Sequence, residues 1–124
     1  MQSEKTLYLR LGGYDVIAAI VDEFLQTTAA DPRMARFGSA MNLERRKRNR
    51  QLTLDYICAV TGGPVLYLGQ DMKTAHAGLG ITRHEWQIAM EQVERALAKF
   101  KVQERESKEL ISLFAGLSGE IVEA

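Results

Sequence analysis

Asp71-Met72-Lys73-Thr74-Ala75-His76-Ala77-Gly78-Leu79-Gly80-Ile81 decides how the rest of the chain is read. It carries one of only two histidines in 124 residues. Asp71 is a residue type that caps helix starts, its carboxylate accepting backbone N–H bonds that have no partner within the helix. Gly78 and Gly80 end that helix within about two turns, because glycine takes the left-handed conformation at little cost. The outcome is a stub of helix with His76 near its end, beside a loop free to fit around something bulky. Met72, four residues earlier, shares a face with His76. A histidine so placed, among apolar neighbours, suits a metal held in an apolar cofactor.

The chain length is that of one domain over residues 1–124, large enough for its own core. Hydrophobic residues at 46% and charged residues at 26% are ordinary for a globular protein. A formal net charge of zero gives no whole-molecule field that would favour nucleic acid or a membrane surface. The polar start Met1-Gln2-Ser3-Glu4-Lys5 is followed by no signal-like apolar region. No apolar run approaches the roughly 20 residues that span a bilayer. Cys58 is the single cysteine, so an internal disulfide is excluded and a reducing, cytoplasmic setting is expected.

Outward from the central stretch, the pattern is helical throughout. Leu7 to Leu11 reads as a short helix closed by Gly12-Gly13, and a longer helix from Asp15 carries Ile17, Ile20, Val21, Phe24 and Leu25 on one stripe. Asp31-Pro32 restarts the chain with a capping acid and a proline at the first helical position, for a brief helix ending near Phe37-Gly38. The basic run Arg45 to Arg50 leads into Leu52, Tyr56, Ile57 and Val60, and Gly62-Gly63-Pro64 stops that helix. Val65 to Gln70 is a loop carrying Tyr67. Thr82-Arg83-His84-Glu85 has the form of a capping box, opening a helix with Trp86, Ala89, Met90, Val93, Leu97 and Phe100 on one face. A last helix places Leu110, Leu113, Phe114, Leu117 and Ile121 at the same spacing. The expectation is an all-α protein of four substantial helices and three short ones.

The residues alone leave His76 open between a histidine with no ligand and an axial metal ligand. Structural zinc needs four Cys or His ligands, and the chain holds two His and one Cys. Haem needs a single protein ligand, because the porphyrin supplies four nitrogens. His84, in the first turn after a cap, is expected to be exposed and a poor ligand. The basic run reads as a solvated surface or, less simply, as a nucleic-acid patch. Cations at a helix N-terminus oppose its macrodipole, so either that helix begins after the run or anions lie nearby. Phe24, Phe37, Tyr56 and Trp86 read first as core aromatics, and Cys58 as a small buried apolar residue. No catalytic Ser/His/Asp set and no phosphate-cradling glycine motif can be assembled.

Taken together, these residues resemble the truncated haemoglobins of group I across nearly the whole chain. Leu11-Gly12-Gly13 resembles the family's first glycine motif, Ala30-Asp31-Pro32-Arg33 with Phe37 its short third helix, and Gly62-Gly63-Pro64 with Tyr67 and Gly69 its second glycine motif. Met72 to Thr82 is the most specific piece and resembles the proximal histidine segment.

The resemblance implies a truncated globin-like two-over-two helical sandwich around haem b, with His76 as the axial iron ligand. It implies Lys73 as a propionate-pairing cation, with one of Arg46, Lys47 or Arg50 beside it, and Phe37, Met72, Ile81 and Trp86 as further haem contacts. The distal pocket would be bounded by Phe24, Leu25, Asn49, Thr53 and Tyr56. There the sequence departs from the family: Leu25 stands where a ligand-bonding tyrosine is usual, Thr53 where a glutamine is frequent, and Gly38 where a second aromatic often follows Phe37. The function implied is reversible binding of oxygen, nitric oxide or carbon monoxide, for transport or sensing, with no catalytic residue assigned. A nitric oxide dioxygenase or peroxidase is the alternative, and would need a separate reductase because the chain carries none. A haem-free helical interaction module is the third reading.

Overall fold

The computed structural model describes residues 5–38 and 41–123. Its elements are α1 (Leu7–Leu11), α2 (Tyr14–Ala30), a 3-10 helix (Pro32–Phe37), α3 (Leu43–Val60), α4 (Met72–His76), α5 (Arg83–Lys99), α6 (Glu104–Ala115) and α7 (Ser118–Ile121). No strand occurs among the described residues. Helix α2 packs on α3 and on α5, α5 packs on α6, and α1 closes against α2 and α6. This is the two-over-two sandwich.

Local chemistry sets the boundaries. Thr6 caps α1 by accepting the Leu9 N–H, and Gly12, at φ +113, ends it in the left-handed conformation that a side chain would strain. Asp31 caps the 3-10 helix through the Arg33 N–H, with Pro32 in its first turn; Arg33 also draws the Asp31 carboxyl far below its ordinary range. Thr82 and Glu85 close a full capping box at the head of α5.

The core lies where α1, α2, α3, α5 and α6 meet, around Ile17, Val21, Leu54, Cys58, Leu97 and Leu110. Leu54 and Cys58 are 0% exposed. The end of α3 is stitched to α1 by the Tyr8 N–H donating to the Thr61 carbonyl (2.8 Å), while the Gly63 N–H returns to the Cys58 carbonyl (2.8 Å). Gly63 is required at that seam, since a Cβ there would stand 2.5 Å from the Tyr8 ring.

One open reading is decided and two expectations change. The cation run lies inside α3, because Asn42 caps the helix ahead of it by accepting the Arg45 N–H at 2.9 Å. The macrodipole opposes cations only in the first turn, where Arg46 donates to the Gly38 carbonyl; Arg50, further along, makes a two-pronged ion pair with Asp22. The last helix is two, broken at Gly116–Leu117, which leaves Leu113 42% exposed. Helix α5 is buried on a second stripe, Ile88, Gln92 and Ala96, beside Val93 and Leu97, because it lies between α2 and α6.

Candidate functional site

Helix α4 is five residues long and none of them is fully buried. Asp71 holds its N-cap position in extended backbone but closes no capping bond from its side chain, contrary to the expectation from its residue type. The nearby Thr74 hydroxyl still lowers the Asp71 carboxyl below its ordinary range. The helix ends at His76, whose Nδ1 lies 2.8 Å from the Met72 carbonyl oxygen one turn back. A carbonyl only accepts, so Nδ1 carries the proton and donates. Nε2 is then the ring atom with a free lone pair, and among the described residues it has no partner. That is the donor a single-histidine metal site requires.

The apolar residues assigned around it share one property. Phe24, Leu25, Phe37, Tyr56, Met72, Ile81 and Trp86 are all half-buried, drawn from α2, the 3-10 helix, α3, α4, the loop after α4 and α5. None of the four aromatics lies in the fully buried core that residue type alone suggests. Large apolar side chains held partly in contact with solvent on inner elements mark a ligand-binding surface more than a packed interior. The donor set and these walls fit haem.

The proximal segment is tied to distant elements by residues that local patterning does not reveal. Arg36 grips Glu85 with two bonds (Nε 2.9 Å, Nη2 2.7 Å) and donates to the carbonyls of Leu79 (2.9 Å) and Gly80 (3.1 Å). These bonds hold the 3-10 helix against the loop after His76, and the guanidinium also stacks 4.0 Å from the ring centre of its neighbour Phe37. This bidentate pairing pulls the Glu85 carboxyl down to about 2. Glu123 accepts the N–H groups of Gly78 (3.1 Å) and Gly80 (2.9 Å). The closely spaced glycines Gly78 and Gly80 were the sequence signal for such an anion-binding turn.

On the opposite side, the candidate donors are partly committed. The Thr53 hydroxyl donates to the Asn49 carbonyl at 2.8 Å, within α3. The Tyr56 ring meets Tyr67 edge-on, with centroids 5.2 Å apart. Burial first, and then the charge of Glu120, raises the Tyr56 phenol above its ordinary range. Asn49 is exposed. Lys73 and Lys47 are exposed and have no ion pair among the described residues, whereas Arg50 and Arg46 are engaged as described above. His84 is exposed, as expected.

These features define a helical protein with one histidine whose Nε2 is free to meet a cofactor. The chain belongs to the bacterial-like globin family, whose model matches residues 6–123, and it is a haem-binding globin. It is 29% identical over 116 residues to the group 1 truncated haemoglobin GlbN of Mycolicibacterium paratuberculosis, a match covering 94% of this chain and 83% of that one. Its fold matches the truncated haemoglobin of Tetrahymena pyriformis in the Fe(III) form with a TM-score of 0.88 at 22% identity, covering 97% of this chain and 100% of that one. The haemoglobin of Chloroflexus aurantiacus gives a TM-score of 0.84 at 25% identity, covering 98% and 100%.

Proposed function

We propose that this protein binds haem b through His76 and reversibly takes up a diatomic gas on the opposite face, in ligand transport or sensing. The observation that supports the reading is the Nδ1 bond of His76 to the Met72 carbonyl, which leaves Nε2 as the ring nitrogen free to bind a metal. The same bond raises the basicity of the ring and fixes its rotation. Ferrous haem supplies a metal centre that coordinates small neutral gases. Around it, Phe37, Met72, Ile81 and Trp86 would exclude water, and Lys73 would reach a propionate. Phe24 and Leu25 would make the ligand side apolar, with Asn49, Thr53 and Tyr56 at its polar edge.

The test is an absorption spectrum of the purified protein, ferric and then ferrous under carbon monoxide. A Soret band that shifts on carbon monoxide addition supports the reading; a colourless, stably folded protein that takes up no added haemin sinks it. A redox enzyme driven by a separate reductase is the second reading. Steady nitric oxide or peroxide consumption in the presence of an added reductase would separate it from reversible binding.

A further inference from the structure

We propose that Glu123 and Arg36 act as a two-sided clamp that positions His76, by holding the polar groups of the loop that leaves it. The inference rests on the haem reading above. It starts from a mechanical difficulty. Helix α4 has five residues, too few to be stable by itself, and it runs into a loop in which Gly78 and Gly80 have φ of +82 and +63. Glycine loses more conformational freedom on ordering than any other residue. An axial ligand nevertheless has to be held to within about 0.5 Å of its productive position.

The loop is held by side chains from far along the chain. The two oxygens of Glu123 accept the N–H groups of Gly78 and Gly80, and the backbone N–H of Glu123 donates to the Ile81 carbonyl at 2.8 Å. From the other side Arg36 takes the carbonyls of Leu79 and Gly80 while fixed by Glu85. Donors of the loop thus go to a carboxylate and acceptors to a guanidinium. The left-handed glycines make this possible, because they let the Gly78 and Gly80 N–H groups point to one carboxylate while the Leu79 N–H returns to the His76 carbonyl. Helix α7, which carries the chain to Glu123, packs directly on α4, so the clamp and the histidine share one small body. Glu123 and Arg36 are positioning residues: they touch the loop and act on the iron only through His76.

The experiment uses the haem-loaded protein and the variants Glu123→Gln, Glu123→Ala and Arg36→Lys. Three quantities are read: haem transfer to excess apomyoglobin, the iron–histidine stretch of the ferrous form by resonance Raman, and amide exchange at Gly78 and Gly80 against core amides such as Leu54. A charge-assisted bond of ordinary strength predicts haem transfer and Gly78/Gly80 exchange about tenfold faster in Glu123→Ala, with Glu123→Gln intermediate because its amide oxygen still accepts one N–H. The iron–histidine band should shift and broaden in the same order, while Leu54 exchange stays at the wild-type rate. Arg36→Lys, which cannot fork between Glu85 and two carbonyls, should show the same signature from the other side. An unchanged band and transfer rate overturn the proposal. So does acceleration of Leu54 by the same factor, which would make the bonds merely structural. A wild-type protein that takes up no haem overturns the reading on which the clamp rests, and the missing Soret band tells that failure from failure of the clamp.

Discussion

The rings of Tyr56 and Tyr67 meet edge-to-face, 5.2 Å apart at 81°, which turns Tyr56 toward the loop that precedes α4. Glu120 on α7 is its nearest influential charge. A Tyr56 ring held by this contact is expected not to donate to a ligand on the iron. With Thr53 donating within its own helix and Leu25 without a donor, polarised ligands should be held weakly. Leu25→Tyr should slow oxygen dissociation by about tenfold, equivalent to about 1.4 kcal/mol of new hydrogen bonding, and leave carbon monoxide release nearly unchanged. Tyr56→Phe should do little to either. Stopped-flow release rates decide it, and a tenfold acceleration in Tyr56→Phe would show that Tyr56 is the donor after all.

Replacing His76 by Ala should abolish stable haem retention, whereas His84→Ala should leave the ferrous spectrum as it was. Imidazole added to His76→Ala should restore a five-coordinate ferrous spectrum, because the walls remain in place. A His76→Ala protein with the wild-type ferrous spectrum would remove His76 from the iron.

Acid should act through Glu85. Its carboxyl ordinarily titrates at 4.5 and is held at about 2 in the folded protein, first by the Arg36 bonds. A lowered folded value means that the unfolded state binds the proton more readily, so this contribution is fully present above pH 4.5 and is lost as pH falls toward 2. Melting curves taken from pH 6 to pH 2 should show a stability loss in that window that is shallower in Glu85→Gln than in wild type. Glu123, Asp71 and Glu109 are also lowered, so the variant should flatten the acid limb without removing it.

Gly63→Ala should destabilise the fold by about 1–3 kcal/mol, the usual cost of forcing an extra methyl into a packed site. The cause is space: the new methyl would meet Tyr8 at 2.5 Å and the Cys58 carbonyl oxygen at 2.9 Å. Urea unfolding measures the loss, and the double variant Gly63→Ala with Tyr8→Ala should recover part of it if the ring is the obstacle. A single variant as stable as wild type would show that the seam between α1 and α3 can give.

Much of this architecture was legible because its determinants are local. The Thr82–Glu85 box, Pro32 after Asp31, and Gly12 all act within one turn of themselves, and so could be read from spacing alone. The short helix that carries His76 was legible for the same reason, since Asp71 and Gly78 bound it within two turns. The clamp was not. Arg36 and Glu85 are separated by 49 positions, and Gly78 and Glu123 by 45, and no period connects them. Only the fold brings them together. The break before α7 was hidden because Leu113, Leu117 and Ile121 continue the apolar rhythm of α6, while the chain turns at Gly116 in spite of it. The start of α3 was left open by the cations, and Asn42, whose side-chain bond fixes the first turn, decides it.

Cys58 gives the protein a built-in clock. Its thiol is 0% exposed, burial pushes it above its ordinary range, and the Gly63 N–H is bonded to its carbonyl. A thiol-alkylating reagent can reach it only during excursions that open the core around it, and the labelling rate under native conditions reports those excursions. With no second cysteine in the chain, that signal comes from one place in the core.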